Sequence, residues 1–343
     1  MPLGSAKVGL FGAAGASAGG GDRGLKFWGL HSDHPSYTMY NVIEYITISS
    51  TGNGTDFGDA YATGRQPACA SNGVTDRGLI CGGQLSDWSK TNTIEYVTIT
   101  SAGDSSNFGD YLTASSCQDA TQGGGSNGSN DRAVWNLHTT TDRTQIGYNT
   151  VSSAGNSTDF GDRTTTPFRH GPAGAFTCNG TNERGVMLGN TGTTTLYGDP
   201  SMRTCDYITI NSAGNATDFG DLVANMCLLG SCSNDTNERG IGMHGYDNPG
   251  SGDTLFNTIQ YITINSTGNA TDFGDLIENI VLAQCGSNGV NERGYQYGGD
   301  GWNQNNESNT IQYITINSTG NSSDFGDALL QYGHTGATDN GFT

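Results

Sequence analysis

The chain has 343 residues, of which 54 are glycine and only 7 proline, and a formal net charge of −19. Its three lysines (Lys7, Lys26, Lys90) and eleven arginines cannot neutralise a run of phosphates, so nucleic acid and anionic membrane surfaces are poor partners. No apolar run approaches the roughly 18 to 20 residues of a membrane helix, so membrane insertion is not expected.

From the N-terminus, Val8 to Ala18 looks like a signal peptide, but its apolar core is short, glycine-broken and preceded by one lysine. Lys7 to Trp28 reads instead as an inner strand, a glycine turn and an Asp22-Arg-Gly step. The chain then repeats itself. Acidic-Arg pairs, mostly followed by Gly, place arginines at Arg23, Arg77, Arg132, Arg184, Arg239 and Arg293, and each is followed by a Phe-Gly-Asp, beginning at Phe57, Phe108, Phe160, Phe219, Phe273 and Phe325. The arginine spacings are 54, 55, 52, 55 and 54. A period just above 50 without a 3.6-residue apolar pattern predicts propeller blades and not a helical solenoid.

The repeat from Glu238 to Cys285 serves as the template. Glu238 to Gly245 is a first strand. After a variable loop, Thr258 to Ile264 alternates apolar and polar residues as a half-buried second strand does. Asn265 to Thr271 is a turn rich in Asn, Ser, Thr and Gly, Asp272-Phe-Gly-Asp275 opens a third strand, and Leu276 to Cys285 supplies a fourth. Such a four-stranded antiparallel meander buries both faces only when stacked round an axis, which predicts an all-β, six-bladed β-propeller. The chain is expected to be one domain over 1–343: an N-terminal segment 1–20, six repeats of about 54 residues over 21–330, and a closing or docking strand at 331–343. The tail carries Thr338-Asp-Asn-Gly-Phe, a worn copy of Thr75-Asp-Arg-Gly-Leu. Both ends therefore offer the same strand, and one terminus should close the ring while the other stays free to dock.

Glycine pairs at Gly82-Gly83 and Gly298-Gly299, worn to Gly29-Leu30, Asn136-Leu137, Gly189-Asn190 and His244-Gly245 elsewhere, resemble those of kelch repeats, and the Phe of Phe-Gly-Asp stands where kelch blades usually carry Trp. The phrase from Tyr261 to Asp275 is similar to the kelch-like repeat of structural proteins in marine bacteriophages, notably those of cyanobacteria. That resemblance, which covers roughly 20–330, implies a non-catalytic virion protein of tail, fibre, neck or head decoration. Its implied partners are other virion proteins in a symmetric assembly and a host-surface polysaccharide or receptor.

Five of the eight cysteines (Cys69, Cys117, Cys178, Cys232, Cys285) recur ahead of the repeat arginine, so they are expected to be free, small buried hydrophobes. No catalytic residue, metal or cofactor is expected. A copper enzyme of the galactose oxidase kind needs histidine ligands near a reactive tyrosine, and the only close pair here is His31 and His34 beside Asp33. The Asp-x-x-Asp ending at Asp59, Asp162, Asp221, Asp275 and Asp327 recurs in five repeats, with Asn107 as the first member before Asp110. A motif in every blade serves what every blade needs, read here as turn capping and strand entry, with Arg-to-Asp bridges such as Arg77 to Asp59 or Asp110; calcium binding is the alternative, weakened by Asn107. Eleven Asn-x-Ser/Thr sequons lie mostly in the same turns, and a secreted lectin or adhesion propeller is the alternative they suggest.

The loops at 31–40, 84–92, 139–145, 191–204, 246–257 and 300–309 share almost no wording. They carry His31, Tyr37, Trp88, Tyr197, Tyr246 and Trp302 among Asn, Asp and Ser, a mixture suited to stacking sugars or forming a protein interface.

Overall fold

The computed structural model describes residues 21–33, 36–73, 75–112, 123–137, 144–166, 175–190, 199–247, 254–301 and 307–341. Six antiparallel sheets radiate from one axis as a six-bladed β-propeller. In blade five the strands run outward as Gly230–Ser233, Arg239–Asp247, Thr254–Thr263 and Thr271–Asp275. The short inner strands pack side by side in a closed ring, and every residue of the blade-five inner strand is buried.

The register corrects the expected strand content. The fourth strand of the template repeat, at Gln284–Ser287, pairs with Arg293–Asp300 of the following repeat. After Phe-Gly-Asp the chain travels inward from rim to axis, so it can only begin the next blade. Closure falls to the C-terminal end, where Gly336–Asp339 pairs with Arg23–Asp33 (Gly24 with Asp339, Phe27 with Gly336). The expectation of a free N-terminal docking strand concerns residues outside the described ones.

Alternation within strands becomes two-sided burial because the blades stack face to face. Each junction between blades holds one apolar cluster; between blades two and three it comprises Leu79, Ile94, Phe108 and Tyr111 against Ala133, Trp135 and Val151. The seven described cysteines are buried in these layers, and Cys117 lies outside the described residues.

The repeated motif residues assemble into one column per blade. The Phe of Phe-Gly-Asp packs edge-on against the Tyr of the third strand, as in Tyr261–Phe273 at 6.3 Å, and the repeat arginine lies over the same Tyr, as in Arg239 at 4.5 Å. The same triplets occur in the other five blades. The guanidinium Nη1 then donates to a carbonyl of the next blade: Arg239 to Ile316 at 2.9 Å, and Arg293 back to Ile48 at 3.1 Å across the closing junction.

The expected Arg-to-Asp bridges are therefore not formed. Arg239 pairs with Thr263 at the end of the third strand, whereas Asp275 pairs with Thr258, five residues back along it. Asp59, Asp110, Asp162, Asp221, Asp275 and Asp327 serve a different contact. Each backbone N–H donates to the side chain of Asp104, Asn156, Asn215, Asn269, Asn321 or Asn53 in the next blade's turn, at 3.0 to 3.1 Å. Two backbone bonds join the same segments, Gly320 N to Phe273 O at 2.8 Å and Ser322 N to Asp275 O at 2.9 Å. Phe-Gly-Asp is thus one half of a clasp between blades. Its glycine is required, because a Cβ on Gly274 (φ +152°) would run into the Gly320 carbonyl.

Candidate functional site

One face of the disc carries the clasp turns and the axial turns before each arginine; the opposite face carries the variable loops. On that loop face the blades cease to be equivalent. Blade one projects, because Arg23–Asp33, Ser36–Thr47 and Thr55–Arg65 run 11, 12 and 11 residues while the outer strand of blade five has 5. The overhang of Thr55–Arg65 recruits Gln84–Leu85 from blade two as a fifth strand (Gly64 with Leu85, Arg65 with Gln84). That strand carries a turn with Trp88 at its tip.

The turn is held at every step. Leu85 N donates to Ser89 O at 2.8 Å and Trp88 N to Leu85 O at 2.9 Å. Ser89 N donates to Asp87 Oδ1 at 2.9 Å, and Gln84 Nε2 to Trp88 O at 3.1 Å. Hydrogen bonds from the Ser89 hydroxyl and N–H hold the Asp87 carboxyl below its ordinary pKa. Trp88 sits at φ +66°, a left-handed conformation costly for a bulky side chain, with 49% of its surface exposed.

Tyr37, 53% exposed, stands perpendicular to Trp88 at 5.8 Å and 89°. The Arg65 guanidinium lies 5.1 Å from the indole centroid, steadied by Nε and Nη2 on Gln84 Oε1 at 2.9 and 2.6 Å. Two of the aromatic residues named from sequence are thus brought together with an arginine and a glutamine that sequence reasoning missed. The available signal was that Arg65 is one of the arginines outside the repeat.

The remaining candidates separate. His31 faces away from Trp88 toward blade six, with Nδ1 3.5 Å from Glu307 Oε2. Tyr246 is not a surface residue: the strand Arg239–Asp247 continues through it, and at 2% exposure it packs with Met202, Cys227, Val281 and Leu282. Tyr197, Trp302 and His34 lie outside the described residues. A second feature, also missed from sequence, is a cleft of about 450 Å³ at blade six and the segments that lead into and out of it, lined by Glu278, Asn279, Glu307, Ser308, Thr310 and Gln331. There Thr310 Oγ1 donates to Glu278 Oε1 at 3.0 Å.

Buried ionisable groups serve the scaffold. Lys26 and Glu44 pair at 3.5 Å and Arg163 and Asp206 at 3.0 Å, all four without exposed side-chain surface. Burial holds the His244 ring neutral, with its pKa pushed down to about 3, and pushes the thiols of Cys69, Cys178, Cys227 and Cys232 up. Among the described residues no group of three or more His, Cys, Asp or Glu is placed to share a metal ion. No protein-family model and no curated protein matches the chain.

Proposed function

We propose that this propeller is a non-catalytic structural component of a virion, docked to other virion proteins through its motif face and presenting its loop face outward. The observation that carries the reading is the contrast between the faces. The motif face is six copies of one clasp, whereas the loop face diverges from blade to blade and exposes an aromatic pair on a pinned turn. A closed ring with contacts repeated at every junction makes a rigid platform, and rigidity lowers the entropic cost of holding a binding surface in place. The charge of −19 keeps such a surface from gathering polyanions. The resemblance of the repeat to phage structural proteins supplies the virion. Cryo-electron microscopy of the assembled particle tests the orientation: the motif face should be buried and Trp88 exposed, and burial of the loop face against other subunits would make this an internal assembly module instead.

A secreted lectin or adhesion propeller is favoured by one observation. Asn53, Asn156, Asn215, Asn269 and Asn321 are exposed, and each heads a sequon. Glycopeptide mass spectrometry of the native protein decides it, since occupied sequons would replace the virion reading.

A further inference from the structure

We propose that Tyr37, Trp88 and Arg65 form a carbohydrate site for neutral pyranose glycans, Trp88 being the stacking platform. This gives the loop face of the proposed function its ligand class and rests on that face being free.

Trp88 is a residue the fold does not need. A tryptophan half in solvent at φ +66° forgoes both burial and a relaxed backbone, and the turn that holds it is fixed by bonds that do not involve the indole. Strain of this kind at a surface residue points to use. The use is set by shape. Trp88 and Tyr37 meet at 89°, so their exposed surfaces form the floor and wall of a corner that fits a flat ring with C–H groups on one side. The Arg65 guanidinium, steadied by Gln84, packs on the indole, and the exposed Asp87 carboxylate in the same turn offers acceptors to ring hydroxyls.

Charge selects among flat ligands. Nucleobases would bring phosphates toward a molecule of −19, and uronic or sialic acids would bring a carboxylate beside Asp87. Neutral hexoses meet neither penalty. Glycan binding by stacking is shallow, so affinity is expected to build with chain length across the neighbouring loops.

The test is titration of the full-length chain, by calorimetry and saturation-transfer NMR, with the hexaoses of cellulose, mannan, laminarin and chitin, and with an alginate hexamer as the anionic counterpart. At least one neutral hexaose should bind at millimolar concentration or better. Trp88→Ala should weaken it at least tenfold and Tyr37→Ala at least threefold. Absence of neutral binding, binding indifferent to Trp88→Ala, or preference for alginate would each overturn the proposal. Trp88→Gly separates function from folding, because glycine relaxes at this φ: its melting temperature should equal or exceed that of the parent while binding is lost, and a lower one would make Trp88 a structural residue. Binding by the isolated chain bears on the site alone, whereas particle orientation bears on the virion role alone.

Discussion

Asp235 stands at φ +53° where the corresponding axial turns carry Gly73, Gly128, Gly180 and Gly289 at +54° to +64°. At 7% exposure its Oδ1 has no hydrogen-bond partner, and burial pushes the carboxyl up from 3.8 to about 6. The folded state therefore holds the proton more tightly than the unfolded chain. The resulting stabilisation is complete below pH 4 and is lost as pH rises through 6, where the charged form costs about 3 kcal/mol. Asp235→Gly should add about 2 to 3 kcal/mol in urea unfolding at pH 7.5 and much less at pH 4; an equal gain at both pH values would leave only the backbone effect. Arg239→Ala loses a ring contact and a carbonyl bond and should cost about 2 kcal/mol, with lysine restoring less than half because its ammonium cannot lie flat on Tyr261. That Arg239, Tyr261 and Phe273 matter was legible from their repetition. Their stacking was not, because an Arg-to-Asp bridge is equally compatible with the letters until the register sets Asp275 five residues along the strand from the partner of Arg239.

At the scale of elements, the clasp sets different demands on its two glycines. A Cβ on Gly161 (φ +146°) would lie 2.4 Å from the Gly214 carbonyl oxygen, whereas a Cβ on Gly214 would meet nothing within 4 Å. Gly161→Ala should cost at least about 3 kcal/mol, while Gly214→Ala should stay within about 0.5 kcal/mol, both read from urea midpoints. Equal effects would mean that close approach does not hold the blades together. In the sequence the clasp reads as local turn chemistry. Translation by one period and rotation to the next blade look the same on paper, so a repeat cannot reveal whether its turn contacts itself or its neighbour. The meeting of Tyr37 with Trp88 was hidden for a related reason: it depends on the overhang of blade one, and no periodic signal marks an overhang. Tyr246 was misread because a variable loop was assumed to start where the wording changed, one strand-end too early.

For the molecule as a whole, the closing junction is held by more than the standard clasp. Lys26 and Glu44 are buried there, with Lys26 Nζ 3.2 Å from the Tyr332 ring centroid and the Tyr297 hydroxyl donating to Glu44 at 2.8 Å. Gly336–Asp339 supplies the inner strand that covers Leu25 and Phe27, both fully buried. Deleting residues 335–343 should abolish the cooperative thermal transition followed by circular dichroism; a single sharp transition in the truncated chain would show that blade one closes without this strand. Six repeats and their period were legible, as was the need for one terminus to close the ring. Which terminus does so was not, since both ends carry versions of the same strand.

The axial turns also bear on how this protein ages. Asn72, Asn127, Asn179, Asn288 and Asn340 each precede a glycine, the step at which an asparagine side chain most readily cyclises onto the following backbone nitrogen and deamidates. In the ring these side chains are tethered. Asn127, Asn179 and Asn288 accept the N–H of Arg132, Arg184 and Arg293 at 2.7 to 2.8 Å, and the amides of Asn127 and Asn179 donate to Glu183 and Glu238 of the next blade at 2.9 and 2.8 Å. A side chain held at both ends cannot swing into attack. Chemical lifetime is thereby tied to closure: an opened ring would begin to accumulate isoaspartate at its own hub, and would lose the amide donors with which neighbouring blades recognise each other.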